Sequence, residues 1–292
     1  MGNTPATGAP DAVPHIFERD YYQRLHDVEE QHGWAQGLRV AMDALLREPV
    51  QGMGPLRVLD IGCGTGYLLN YLQRYRLARE PVGIDVSSHA LEFCRGRGAT
   101  ALAEASALTT PFAGGSFDLI ICIDTIQHLT PAGADRQALV EFARLLRPGG
   151  LLYLRTNSAK GHVPLTGVDP DQYRRYRLEE VESLLRGSGF AIERGTYVNA
   201  APGAWGALRE QWRAWRSAGA GLGRSRRTQQ AAAIGPGLAI RPYPPHLAWL
   251  NRILYAVLAA EAGLLRQAGV SLPFGHSIAC VARRTDAPLP PV

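Results

Sequence analysis

Short apolar runs alternate with helix-spaced stretches through the middle of the chain. Arg57 to Ile61, Val82 to Val86, Ala99 to Ala103, Phe117 to Ile123 and Leu151 to Arg155 read as strands. Helical patterns at 67–75, 88–95 and 135–146 lie between them. Strands alternating with helices of this length predict βαβ units and a parallel sheet covered on both faces, and the run DLIICI suits a central strand. A helix over Leu178 to Arg186, stopped by Gly187 and Gly189, leads into a strand at Phe190 to Val198. A last strand runs from Ser277 to Arg283. Ahead of the sheet, Phe17 to Arg47 predicts two cap helices broken around Gly33 and Gly37 and ended before Pro49.

Two stretches depart from this alternation. Residues 1–14 are rich in Pro, Gly, Ala and Thr without periodicity and read as a tail. Between the sixth and last strands, residues 199–275 hold Trp205, Trp212, Trp215, a Gly/Arg/Gln-rich stretch at 219–237, a proline cluster, and a long apolar helix from His246 to Ala268. The expected organisation is a tail at 1–14, cap helices at 15–50, a core at 51–198, an inserted substrate lid at 199–275, and the last strand with its tail at 276–292. The long helix carries Asn251, Arg252, Glu261 and Arg266, so it reads as covering an apolar substrate, lying on a membrane surface, or packing on the core or a second copy, without stable membrane insertion.

Composition narrows the class. At 292 residues, 46% hydrophobic and 20% charged, the chain has ample length for one α/β core with additions. No basic and apolar leader is visible at the start, and a cytoplasmic location is expected. Cys63, Cys94, Cys122 and Cys280 are scattered without a CxxC pair, so no metal site is expected. The net charge of +5 is uneven, with Arg209, Arg213, Arg216, Arg224, Arg226 and Arg227 in one segment that reads as a solvated face or as a site for an acidic group.

The chemistry starts at VLDIGCGTGYLL, Val58 to Leu69. Glycines between a strand and a helix let a ligand approach the backbone, where the helix offers unpaired N–H groups. Gly62, Gly64 and Gly66 give GxGxG rather than the dinucleotide GxGxxG, and there is no P-loop lysine. Asp85 ends the second strand in VGIDVS, where a carboxylate can accept both ribose hydroxyls. Glu104, ending the third strand, is placed to accept from an adenine amino group.

Taken in series, VLDIGCGTG, VGIDVS, EASAL followed by PF, FDLIICIDTIQHL and LLRPGGLLYL resemble the class I S-adenosylmethionine-dependent methyltransferases, in the methyltransferase type 11-like group. The resemblance covers roughly Arg57 to Asn199, and SIACVARR is similar to the antiparallel seventh strand of that family. It implies an α/β Rossmann-like seven-stranded sheet flanked by helices, with S-adenosyl-L-methionine as cofactor and S-adenosyl-L-homocysteine as product. Carried over by position, Asp60, Gly62, Gly64 and Gly66 would line the methionine and ribose side. Asp85 and Val86 would hold the ribose end, Glu104 and Ala105 the adenine, and Asp124 the methionine moiety. Two departures stand out: the third-strand acid is Glu rather than Asp, and Thr109-Thr110 lengthens the approach to Pro111-Phe112.

An activated methyl asks the protein to align a nucleophile and exclude water, and to remove a proton where the acceptor carries one. His128, after the fourth strand, is the candidate base, and His162, after the fifth, a substrate contact. Both also read as ordinary loop or packing residues. Tyr21, Tyr22 and Trp34 on the cap, with Trp205 in the insertion, are candidate substrate walls, and Arg39 a candidate partner of the cofactor carboxylate. The expected reaction is O- or N-methylation of an apolar or aromatic natural-product intermediate. The alternatives are C- or O-methylation of a prenyl, glycolipid or sugar-linked phosphate substrate, or cofactor binding without methyl transfer, as a structural partner or a cyclase. The expected partners are a small-molecule substrate and a second copy of the chain. Nucleic acid is not expected, since no RNA-binding module and no NPPY-type motif accompany the core.

Overall fold

The computed structural model describes residues 18–74, 78, 80–159, 174–201 and 248–288. Its centre is a seven-stranded sheet of order β3-β2-β1-β4-β5-β7-β6. The strands are β1 (Val58–Ile61), β2 (Val82–Asp85), β3 (Leu102–Glu104), β4 (Phe117–Ile123), β5 (Leu146–Asn157), β6 (Phe190–Val198) and β7 (Ser277–Arg284). The first five run parallel, and β7 lies antiparallel between β5 and β6. This is the expected Rossmann-like sheet. The chain crosses from β1 outward to β3 and then returns to β4, so the carboxyl ends of β1 and β4 open a crevice where the topology reverses.

The helices are α1 (Arg19–Val28), α2 (Gly33–Leu46), α3 (Tyr67–Arg74), α4 (Ser88–Gly96), α5 (Ala134–Leu145), α6 (Leu178–Arg186) and α7 (Ala248–Leu265). On one face of the sheet, Ala138, Leu139, Phe142 and Ala143 of α5 and Val181 and Leu185 of α6 pack on Ile120, Cys122, Leu152 and Leu154. On the other, Leu38, Met42 and Leu45 of α2, Leu72 of α3, and Ala262 and Leu265 of α7 pack on Val58, Leu119, Ile121, Tyr153 and Val281. Burying these apolar side chains drives the fold, at about 25 cal/mol per Å² removed from water.

Several boundaries differ from expectation, each for a local reason. β3 begins at Leu102 rather than Ala99, because Arg97 and Gly98 turn the chain and Gly83 N donates to Ala101 O at 2.9 Å just before pairing starts. β5 begins at Leu146, ahead of Gly149 and Gly150, since Leu146 already pairs with Phe117 across a register shift. The cap helices separate at residues 29–32, where the His32 imidazole accepts from Trp34 N at 3.2 Å and caps α2.

Gly33 and Gly37 therefore start α2 and lie within it rather than breaking it, and their role is close packing. A Cβ on Gly37 would sit 2.4 Å from Leu258 Cβ, and one on Gly33 2.3 Å from Asn251 O. Those glycines let α7 lie directly on α2. Helix α7 is long and apolar enough to cross a membrane by length and composition; here one face packs on α2, with Leu258, Ala262 and Leu265 buried, while Trp249, Ile253, Val257 and Leu264 are exposed. Its single acid, Glu261, is buried as well and accepts from Asn199 N at 2.6 Å and Ala200 N at 2.9 Å, which ties α7 to the end of β6.

Candidate functional site

The glycine turn is built from both sides. Gly62 N and Cys63 N donate to Ile84 O at 2.8 and 2.9 Å, which hangs the turn on the end of β2. Gly62, Gly64 and Gly66 all have positive φ, at 75°, 53° and 77°, a region costly for residues with a Cβ. Space separates the three. A Cβ on Gly62 would lie 2.1 Å from Thr125 Oγ1, and one on Gly66 2.9 Å from Cys94 Cα. At Gly64 the nearest atom would be Leu25 Cδ2 at 3.9 Å. The outer two glycines make room for the protein, while the middle one faces a space walled by α1.

Asp85 closes the turn. Its Oδ2 accepts from Gly64 N at 3.0 Å and its Oδ1 from Ser87 N at 2.9 Å. Val86 N and the Tyr22 hydroxyl also donate to it, so the carboxylate is ringed by donors at the end of β2. Burial raises the Asp85 pKa, and the backbone donors oppose that. Val86 beside it is half exposed, an apolar surface next to the carboxylate. Glu104 is exposed and pairs in register with Asp85 across the β2–β3 edge, with Ala105 N donating to Asp85 O at 3.1 Å. These positions fit a nucleoside lying along the carboxyl ends of β1 to β3.

Asp60 lies beneath them under different conditions. It is only 2% exposed, and burial, followed by the charges of Asp85 and Glu29, pushes its pKa up to about 8. A carboxyl held neutral between two acids is a place where a cation would be welcome. Glu29, which the sequence did not single out, reaches the turn from the end of α1. It accepts from Thr65 Oγ1 and pairs with Arg97 Nη2 at 2.8 Å. Arg39 donates to Glu29 O at 2.9 Å and stacks 4.1 Å over the ring of Tyr67, the first residue of α3. Arg39 thus stands at the glycine-turn helix, as a contact of the cofactor's aminoacyl end would.

The cap residues divide. Tyr22 is buried, meets Asp85 and Ser87, and packs edge-on against Tyr21 at 5.5 Å. It stands over the Asp85 carboxylate. Trp34 is partly buried against the core beneath α2. His162 and Trp205 lie outside the described residues, as do residues 1–14, the arginine cluster and the 219–237 stretch.

Past Asp124 the floor changes character. Asp124 has a φ of 52° and carries an ion pair to the buried Arg155, whose Nε also donates to Asp124 Oδ1 at 3.3 Å. Thr125 Oγ1 lies within hydrogen-bonding distance of Ile61 O and Ile123 O, so IDTIQHL clasps the glycine turn. A 3-10 turn over Ile126–His128 follows. Gln127 is buried and accepts from Asn157 N at 2.9 Å and Thr156 Oγ1 at 3.1 Å. Asp135 accepts from Tyr176 Oη at 3.1 Å and pairs with Arg174 at 2.8 Å, bracing the same turn. His276, ahead of β7, is held by Ser158 N donating to its carbonyl, and burial lowers its imidazole pKa while Asp124 opposes that. Sequence reading missed Arg155, Gln127 and His276 because their partners are 29 or more positions away or on another strand. No group of three His, Cys, Asp or Glu side chains suited to a metal ion occurs among the described residues. A cavity of about 730 Å³, lined by Arg57, Gln73, Glu80 and Arg97, opens at the amino ends of β2 and β3 and reaches the glycine turn at Gly66.

Comparison with known proteins agrees with this geometry. Residues 59–154 match the family model of a methyltransferase domain. The O-methyltransferase resE of Aspergillus sclerotiorum is 27% identical over 175 residues, spanning 53% of this chain and 63% of that protein. A tRNA (carboxymethyluridine(34)-5-O)-methyltransferase of Mus musculus is 40% identical over 99 residues, 33% of this chain and 14% of that protein. In fold, a phosphoethanolamine N-methyltransferase of Haemonchus contortus, solved with phosphomonomethylethanolamine and S-adenosylhomocysteine, superposes with a TM-score of 0.54 at 19% identity. It covers 96% of this chain and 62% of that one. With the glycine turn, the two strand-end acids and the matched residues in one crevice, residues 59–154 form a methyltransferase domain of the S-adenosylmethionine-dependent kind, with S-adenosylmethionine as its cofactor.

Proposed function

We propose that this methyltransferase acts on a small-molecule acceptor of apolar or aromatic character, at oxygen or nitrogen, in the chemistry of natural-product assembly. The observation that carries the reading is the polar floor of Asp124, Arg155, Gln127, His128 and His276, which continues from the glycine turn through Thr125. Support for the acceptor class comes from the resE relative, matched over more than half of the chain, and from the tryptophans of the insertion in the sequence. The tRNA methylase shares a third of the chain, a stretch that makes up 14% of that larger protein.

Residue roles follow from position. Asp85 would hold the ribose hydroxyls at the end of β2. Gly62, Gly64 and Gly66 would seat the methionine side, with Asp60 and Glu29 facing its ammonium and Arg39 its carboxylate. Val86, Glu104 and Ala105 would receive the adenine. The bound cofactor supplies an electrophilic methyl on a sulfonium. The protein then has to align the acceptor atom with that methyl and keep water out, which is worth several powers of ten in rate. His128 would take the acceptor's proton. Asp124, tethered to Arg155, stays fixed at the methionine end.

Titration calorimetry with S-adenosylhomocysteine tests the cofactor site, with binding to wild type and loss of affinity in Asp85→Ala expected. Equal binding by the two would remove Asp85 from the site. The acceptor is tested by incubating the full chain with S-adenosylmethionine and panels of phenols, aliphatic acids, amines and transcribed tRNA, with mass spectrometry reading the gain of a methyl. Transfer to tRNA without transfer to any small molecule would overturn the acceptor assignment.

A further inference from the structure

The large apolar side chains left exposed are not scattered. Five of the seven among the described residues, Trp249, Ile253, Tyr255, Val257 and Leu264, stand on α7. Single exposed apolar residues are ordinary, whereas a contiguous group marks a surface that meets something else. At about 100° per residue, Trp249, Ile253, Val257 and Leu264 fall with the exposed Ala256 and Ala260 inside an arc of about 100°. Leu258, Ala262 and Leu265 are buried on the other side of the helix. Helix α7 therefore carries two apolar faces, one seated on α2 and one turned outward.

Charge decides between the surfaces that could cover the outer face. From Ala248 to Arg284 the sequence holds one acid, Glu261, and it is buried on the backbone of Asn199 and Ala200. The exposed charges of α7 are Arg252 and Arg266. A second copy paired through the same arc would set basic rim against basic rim, with no exposed acid on the helix to offset it. An anionic surface offsets both arginines. We propose that the outer face of α7 docks on a lipid bilayer carrying anionic headgroups, with Trp249, Ile253, Val257 and Leu264 entering the headgroup boundary and Arg252 at its edge. The start of α7 is also tied to the cap: Gly33 N donates to Asn251 Oδ1 at 2.6 Å, and Asn251 Nδ2 donates to Gln31 O at 2.7 Å. Gln31 stands two positions from Glu29, which accepts from Thr65 of the glycine turn. The docked face thus adjoins the cap beside the cofactor crevice, on the side where an apolar acceptor held in the bilayer would arrive. The docking rests on the surface of α7 alone, and only the delivery of an acceptor rests on the proposed function.

The test is cosedimentation of the full chain with vesicles of phosphatidylcholine alone and of an equal mixture of phosphatidylcholine and phosphatidylglycerol. The expected result is binding to the mixed vesicles that weakens as salt is raised. Ile253→Glu combined with Leu264→Glu sets two carboxylates on the apolar arc and should lower the partition coefficient by about tenfold or more. Both positions are exposed, so circular dichroism and S-adenosylhomocysteine affinity should match wild type. Arg252→Gln combined with Arg266→Gln should weaken binding to the mixed vesicles and flatten its salt dependence. Failure of wild type to bind the mixed vesicles overturns the proposal, and a dimer that the glutamate variant dissociates would then give the face to a second copy. Binding that the glutamate variant leaves unchanged overturns it as well, since another part of the chain would be making the contact. Equal binding to the two kinds of vesicle overturns the anionic requirement. No acceptor is present in these measurements, so their failure leaves the apolar-acceptor reading standing.

Discussion

The two halves of the sheet's carboxyl edge are built by different means. Over β1, β2 and β3 the functional groups lie within a few residues of their strand ends, and their partners are mostly backbone. Asp85 is satisfied by Gly64 N and Ser87 N, and the glycines are dictated by φ and by the approach of Thr125 and Cys94. Over β4, β5 and β7 the groups are side chains paired with side chains across the fold, as in Asp124 with Arg155 and Asp135 with Tyr176 and Arg174. A ligand common to a whole family can be met by backbone geometry, which any sequence obeying a few constraints provides. An acceptor particular to one enzyme has to be met by side chains, and these change freely as long as their partners do.

The comparison breaks first at the glycine turn. Gly62→Val should abolish detectable cofactor binding, because its branched side chain meets Thr125 and its φ of 75° is the left-handed region. Calorimetry with S-adenosylhomocysteine on folded protein, checked by circular dichroism, reads this, and retained affinity would contradict the site. Asp85→Asn comes next. Losing a charge-assisted acceptor typically costs about 1.5–3 kcal/mol, so cofactor affinity should fall by about ten- to a hundredfold.

Away from the edge, Gly37→Ala should destabilise the chain by about 1–3 kcal/mol through overpacking against Leu258, measured by urea denaturation. In the fraction that folds, cofactor affinity should match wild type. A change in affinity larger than the change in stability would show that the α2–α7 packing reaches the site.

The smallest effect is one of shape. The Asp60 carboxyl has a folded pKa of about 8, above its ordinary 3.8. The folded state therefore binds the extra proton between those values, and stability contributed by this group falls as pH rises from 4 to 8. Cofactor-free Asp60→Asn should show a flatter melting temperature over that window than wild type. Parallel pH profiles for the two proteins would mean that Asp60 is ionised in the fold.

What could be read from the chain alone follows the same division. The alternation of apolar runs and helical patterns placed all seven strands, β3 and β5 with shifted starts, and the glycine spacing picked out the turn after β1, because periodicity and turn chemistry are local properties. The antiparallel direction of β7, by contrast, came from the family resemblance and not from the pattern, since nothing local distinguishes an antiparallel β7 from a parallel one. Gly33 and Gly37 show how local reading fails. A glycine that breaks a helix and a glycine that admits a neighbouring helix look alike until α7 is in place.

The sequence by itself determined the α/β class, the glycine turn after β1 and the carboxylate at the end of β2, all encoded within single βα units. Only the tertiary structure decided that burial raises the Asp60 pKa, that Glu29 at the end of α1 joins the turn, that α7 lays one face on α2, and which way the amide of Gln127 faces. Each of these depends on burial or on a partner far away in the chain. Burial and distance are properties that exist only once the chain has closed on itself.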